Sequence, residues 1–174
     1  MVTQSNLPDF VQGLNVELGR QQFGRFYADE GALEEHVAEV ILKYSGAKAY
    51  GGTVKLAAAH AGSYQHTVGV SKLRKSSWVD GFGWSARPDM TVDVGVEGRI
   101  ALEIKISNYD LKRSLIKSGI GQAVLYRAAY DAVFLFVLYR GDETLDKEKH
   151  AHDEKVKKLL WDNCGTGVIV HEQE

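Results

Sequence analysis

Cysteine is nearly absent from this chain: Cys164 stands alone among 174 residues. A single thiol forms no internal disulfide, which excludes a disulfide-stapled secreted scaffold and leads to the expectation of a reducing, cytoplasmic compartment. Long hydrophobic runs are missing too. The longest, Ala132 to Tyr139, falls well short of the roughly 18 apolar residues that a bilayer span requires. Met1 to Asn15 lacks the basic segment and apolar block of a secretion signal, so neither export nor a membrane partner is expected. Proline occurs twice, and no Pro- or Ser-rich linker, repeat or low-complexity tract divides the chain. What remains is 44% hydrophobic and 25% charged residues, the balance of one folded domain spanning residues 1–174.

The formal net charge of −2 conceals a division along the chain. Residues 1–44 hold three basic and seven acidic groups, residues 45–127 twelve and six, and residues 128–174 six and ten. A +6 middle between two −4 ends can attract a polyanion without a high overall pI. Chance clustering on a solvated surface explains the same numbers equally well, so charge alone decides nothing.

Periodicity supplies the elements. Pro8-Asp9 can open a short helix in the otherwise illegible first 30 residues. Leu33, Val37, Val40, Ile41 and Tyr44 recur at helical spacing and predict an amphipathic helix over 32–44, ended by Ser45-Gly46. Lys48 to Ala59 reads as a strand interrupted by Gly51-Gly52, Thr67 to Val70 as a short strand, and the segment up to Arg87 as a loop rich in glycine and aromatics. Met90, Val92, Val94 and Val96, then Ile100, Leu102, Ile104 and Ile106, alternate with polar residues and predict a β-hairpin. A two-residue turn would set Val92 against Glu103 and mix the faces. A three-residue loop, Glu97-Gly98-Arg99, sets Val94 opposite Leu102 and Asp93 opposite Glu103, and is preferred. A helix over 111–130, an apolar central strand over 132–139, a charged helix over 146–162 and a strand over 167–170 follow. The expected fold class is α/β, a layered domain with a mixed central sheet flanked by helices.

The predicted hairpin gathers Asp89, Asp93, Glu103 and Lys105 on one face. Charged groups are costly on a sheet face unless they are paired or bind a metal. Carboxylates of this kind suit Mg²⁺, which takes one or two of them and fills its other positions with water and phosphate oxygens. A lysine two residues beyond a carboxylate can orient or deprotonate an attacking water, or stabilise charge on a phosphate. Lys105 supplies none of the apolar face, so its removal is expected to spare the fold. A solvated hairpin face with ordinary ion pairs is the competing account.

Pro88-Asp89, thirteen residues, then Glu103-Ile104-Lys105 resembles the signature of the PD-(D/E)xK nuclease superfamily, which includes type II restriction enzymes and archaeal Holliday junction resolvases. The helix, hairpin, helix and strand order over about residues 32 to 140 is similar to that family's core. Gln122 to Tyr126 looks like its QxxxY helix motif, with both side chains on one helical face. Glu34 lies in the first helix, where many members carry an acid near the metal. At about 100° per residue it borders the core stripe beside Ile41, whereas Glu35 and Glu39 point towards solvent. The resemblance implies a restriction-endonuclease-like fold and a Mg²⁺- or Mn²⁺-dependent deoxyribonuclease acting in repair, recombination or defence. It implies that Asp89, Glu103 and the main-chain carbonyl of Ile104 hold the metal, aided by Glu34. Lys105 would then act on the water and Gln122 would position Lys105 or the phosphate. The family pattern favours Asp89, the preferred register Asp93. A catalytically inactive DNA-binding or assembly module on the same fold is the alternative.

With DNA as partner, and a homodimer left open, Lys72, Arg74, Lys75, Lys112, Arg113 and Lys117 are the candidates for phosphate contact. Trp78, Phe82 and Trp84 can stack on nucleic acid or pack in a core. Pro8-Asp9 lies beyond the first helix and is read as a decoy. His150, His152 and Cys164 fit no standard zinc spacing and read as solvated surface. Gly119-Ile120-Gly121 lacks the third glycine of a dinucleotide loop, and Ser63 and Ser85 have no nucleophile-elbow context.

Overall fold

Phe10, Leu14 and Leu18 recur four residues apart behind Pro8, and this spacing carries a complete helix, α1 (Leu7–Arg20). All three side chains are fully buried, so α1 is part of the core. The computed structural model describes residues 7–23, 27–47, 54–59, 75–81, 84–95, 98–108, 112–140 and 147–173. After α1 come α2 (Glu30–Ala47), β1 (Lys55–Ala58), β2 (Val79–Gly81), β3 (Trp84–Ala86), β4 (Met90–Asp93) and β5 (Arg99–Asn108). The chain continues through α3 (Lys112–Tyr126), β6 (Ala132–Arg140), α4 (Lys147–Cys164) and β7 (Thr166–Gln173). The predicted strand over Thr67 to Val70 and residues 48–53 of the first predicted strand lie outside the described residues. Where a loop is expected, β2 and β3 form a two-stranded antiparallel ribbon.

The larger sheet has five strands in the order β1-β4-β5-β6-β7. β1, β4 and β5 are antiparallel neighbours, whereas β5, β6 and β7 run parallel, joined through α3 and α4. The α/β class with a mixed sheet flanked by helices is therefore observed. Strand alternation divides the core in two. Met90, Val92, Ile100, Leu102, Ile104, Phe134, Phe136 and Leu138 pack with α1 and α2. Ala101, Val133, Leu135 and Val137 pack with Ala123 and Tyr126 of α3. β6 is thus covered on both faces, as its unbroken apolar run predicts. No helix among the described residues is long and apolar enough to cross a membrane.

The hairpin register departs from expectation. Asp93 pairs with Arg99 and Met90 with Leu102, so each residue's partner is four positions from the expected one. Two anchors, one within the turn and one from the residue before β6, accompany the shift. The Asp93 carboxylate accepts the Gly95 amide at 2.8 Å, the Gly98 carbonyl accepts the Val94 amide at 2.9 Å, and Gly95 and Gly98 adopt φ of 67° and 140°, which ends β4 early and moves the turn towards the N-terminus. The Asp131 carboxylate accepts the Arg99 amide at 2.8 Å, and Arg99 returns its carbonyl to the Asp131 amide, which defines where β5 begins. A shift of four preserves face parity, so apolar still meets apolar. Its consequence is chemical: Asp89, one residue before Met90, comes level with Glu103, while Asp93 moves to the far end of the strand.

Candidate active site

Asp89 is held at the point where β4 begins. Pro88 brings no amide to the ladder, and its carbonyl accepts the Ser76 hydroxyl at 2.6 Å. The Asp89 carbonyl accepts the Ala59 amide at 2.7 Å, tying it to the end of β1. Its side chain then stands in for the missing next rung of the sheet. Asp89 Oδ2 accepts the Ile104 amide at 2.7 Å, on the length of β5 that extends beyond β4. A strand residue turns its N–H and C=O to the same edge, so the Ile104 carbonyl is directed there as well.

Glu103 and Lys105 share the α3-facing side of β5 with Ala101, at positions where the alternation would otherwise put apolar residues. Glu103 is 1% exposed and Lys105 9%. Lys105 Nζ lies 2.6 Å from Glu103 Oε1, 3.7 Å from Asp89 Oδ2 and 3.9 Å from Glu30 Oε2. The other Glu103 oxygen accepts the Tyr126 hydroxyl at 2.9 Å, and Gln122 hydrogen-bonds that phenol one helical turn earlier. Gly119 explains how α3 comes so near. A Cβ there would lie 2.9 Å from Leu135 Cδ1 and 3.4 Å from Lys105 Cγ, so its missing side chain makes room for the lysine stem.

One ammonium faces three carboxylates, and the electrostatics follow. Burial, then the charge of Asp89, pushes Glu103 up to about 7 against the pull of Lys105 and Tyr126. Burial alone would lower Lys105, but Asp89, Glu103 and Glu30 together outweigh it and hold the ammonium above its ordinary range. Burial and the neighbouring Glu103 charge also raise Tyr126, which remains a neutral donor. Among the described residues no three His, Cys, Asp or Glu side chains gather into a metal-holding cluster. Magnesium needs only one or two carboxylates. The excess of negative charge and the directed Ile104 carbonyl make a donor set that fits such an ion.

Asp89, Glu103, Lys105 and Gln122 are therefore brought together, Gln122 through Tyr126. Asp93, expected opposite Glu103, instead caps the turn and pairs in register with Arg99 and Lys55. Glu34 is fully buried in α2. Glu35, expected to face solvent, is 3% exposed, because α2 is walled by more than the sheet: α1 packs against it, and the Phe23 and Tyr27 rings lie 4.9 and 5.9 Å from His36. Lys75 and Lys117 are exposed. Lys112 and Arg113 open α3, and Lys72 and Arg74 lie outside the described residues. Trp78 is exposed beside α3, Phe82 lies outside the described residues, and Cys164 is half-buried.

The acid of α2 that reaches Lys105 in these contacts is Glu30, whose Oε1 also accepts the Ile106 amide at 3.4 Å. The sequence reading misses it by starting that helix at residue 32. The available signal is Asp29, whose carboxylate accepts the Ala32 amide at 2.9 Å as an N-cap and makes Glu30 the first helical residue. Comparison of the chain with protein-family models, curated proteins and solved structures finds no match.

Proposed function

We propose that this chain is a metal-dependent deoxyribonuclease of the PD-(D/E)xK type, built on a restriction-endonuclease-like fold. The observation that carries the reading is the register. It sets Asp89 level with Glu103, with Lys105 Nζ between their oxygens at 3.7 and 2.6 Å, where the signature requires them together. The two-face sheet, with α2 on one side and the Gln122–Tyr126 helix on the other, supports the same fold.

Asp89 and Glu103, with the Ile104 carbonyl, would hold Mg²⁺ or Mn²⁺, and Glu34 remains an additional candidate beside them. When bound, the ion supplies positive charge to a phosphate and acidifies water. The chain's own residues set the rest. Lys105, whose Nζ lies 2.6 Å from Glu103 and 3.7 Å from Asp89, would orient or deprotonate the attacking water, or stabilise charge on the phosphate. Tyr126 and Gln122 hold the Glu103 carboxylate in place. Water oxygen would bond to phosphorus as the ester P–O bond breaks, the water giving up a proton and the departing oxygen taking one from solvent, which leaves one strand end with a phosphate and the other with a hydroxyl.

Calorimetric titration with Mn²⁺ and cleavage of a panel of DNA structures test the reading. Asp89→Asn is expected to abolish metal binding and cleavage, whereas Asp93→Asn keeps both and loses only a turn contact of about 1 kcal/mol. Full binding by Asp89→Asn with none by Asp93→Asn transfers the role to Asp93. A wild-type protein that takes up neither Mn²⁺ nor Mg²⁺ and cuts no DNA is no nuclease.

A further inference from the structure

Next to the acidic pair lies a cleft of about 810 Å³, and Asp89 and Gln122 line it together. One wall is the β2–β3 ribbon and the other is the Ser118–Leu125 stretch of α3. The ribbon register pairs Val79 with Ala86 and Asp80 with Ser85. Extended by one rung, it sets Trp78 across from Arg87, on the side opposite buried Val79. The Arg87 guanidinium lies 5.2 Å from the centre of the Trp78 ring. The indole is 62% exposed, the highest exposure among the large apolar side chains described. Burial of Val79 against the α3 side of the core anchors the ribbon, so the exposed ring stands on a supported platform. Across the cleft, Gly121 has nothing within 4 Å of where a Cβ would be, which leaves the space in front of the tryptophan open.

An exposed indole with a cation over one of its faces, and flanking polar groups from Ser118 and Gln122, match a base stacked on the other face and attached to its phosphate. The volume suits a nucleotide-sized guest. In a double helix both faces of each base are covered by its neighbours, so only an unpaired base presents a face to such a platform. We propose that this cleft receives an unpaired nucleobase of the DNA strand to be cut, stacked on Trp78, with Arg87 beside the backbone phosphate. The inference rests on the nuclease reading and adds its substrate class: single-stranded DNA, or duplex with unpaired nucleotides at the cut. Arg87 is two residues before Asp89, which puts the gripped nucleotide next to the phosphate at the acidic site.

The test is fluorescence anisotropy of a labelled short oligothymidine and of a fully paired duplex, in Ca²⁺, for the wild type, Trp78→Ala and Trp78→Phe. Trp78→Ala is expected to weaken single-strand binding about 5- to 150-fold, as for other stacked aromatics. Trp78→Phe should keep most of the affinity, and duplex binding should not change. An abasic position walked along the oligothymidine should reproduce the loss in the wild type at one site and add nothing further in Trp78→Ala. Trp78→Phe, which retains a ring at the platform, keeps the comparison with the wild type valid even if Trp78→Ala folds poorly. Unchanged single-strand affinity in Trp78→Ala, or no sensitive abasic position, overturns the cleft assignment while metal-dependent cutting of any DNA keeps the nuclease reading. A wild type that neither binds nor cuts any DNA overturns both.

Discussion

Replacing Lys105 with methionine removes an ammonium and keeps much of the side-chain length. In the native site Nζ is 2.6 Å from Glu103 and 3.7 Å from Asp89, and none of the three side chains is more than 12% exposed. Deleting one partner of such a buried pair typically costs about 3–5 kcal/mol, because the remaining charge is left bare. The loss should depend on pH, and its sign can be worked out. Burial, followed by the Asp89 charge, raises Glu103 from 4.5 to about 7. Between those values the folded protein holds a proton that the unfolded chain has released, so this group's contribution is most favourable at low pH. It falls as pH rises through the window, by about 3 kcal/mol in all. Losing Lys105 removes two influences that lower Glu103, its charge and its hydrogen bond, so the carboxyl climbs further and the variant becomes still more alkali-sensitive. Urea unfolding followed by circular dichroism, without divalent ions, should show a loss of about 3–5 kcal/mol near pH 8 and a clearly smaller one near pH 5. Cleavage should vanish at both. Equal losses at the two pH values would refute the view that Lys105 stabilises the fold by neutralising Glu103 and Asp89.

Three further outcomes are expected. Tyr126→Phe leaves a Glu103 oxygen unbonded in the core, which should cost about 1–3 kcal/mol in denaturant melts and move the acid limb of the cleavage pH profile upward. Gly119→Ala gains about 1 kcal/mol of helix propensity but crowds Leu135 and the Lys105 stem, at a cost of about 1–3 kcal/mol. The net change in urea should be destabilising, with activity falling by more than stability does. If the proposed DNA binding holds, affinity measured across a salt series should drop steeply and linearly on logarithmic axes, because a +6 middle segment would displace counterions from phosphates. A flat series would remove that segment as the DNA-facing surface.

Local pattern is enough to place α2, β5, α3, β6, α4 and β7 to within a few residues, and to put Glu103 and Lys105 on one face, because side-chain periodicity is a property of the backbone alone. It also exposes the Asp89 signature and the Gln122–Tyr126 pair. It does not carry the hairpin offset, since every even shift of the ladder satisfies the apolar pattern equally well. The offset comes with a contact from Asp131, thirty-two residues from Arg99, and with the turn that Asp93 caps. For the same reason Lys105 looks dispensable in the sequence and proves to be the central cation of a buried cluster. Its partners come from four elements or their edges: Glu30 opening α2, Asp89 before β4, Glu103 within β5, and Tyr126 of α3 through Glu103. Alternation specifies which face a charge occupies. Only packing specifies what lies across from it and how little water reaches it, and those two quantities decide whether a carboxylate stays ionised, needs a cation, or can hold one.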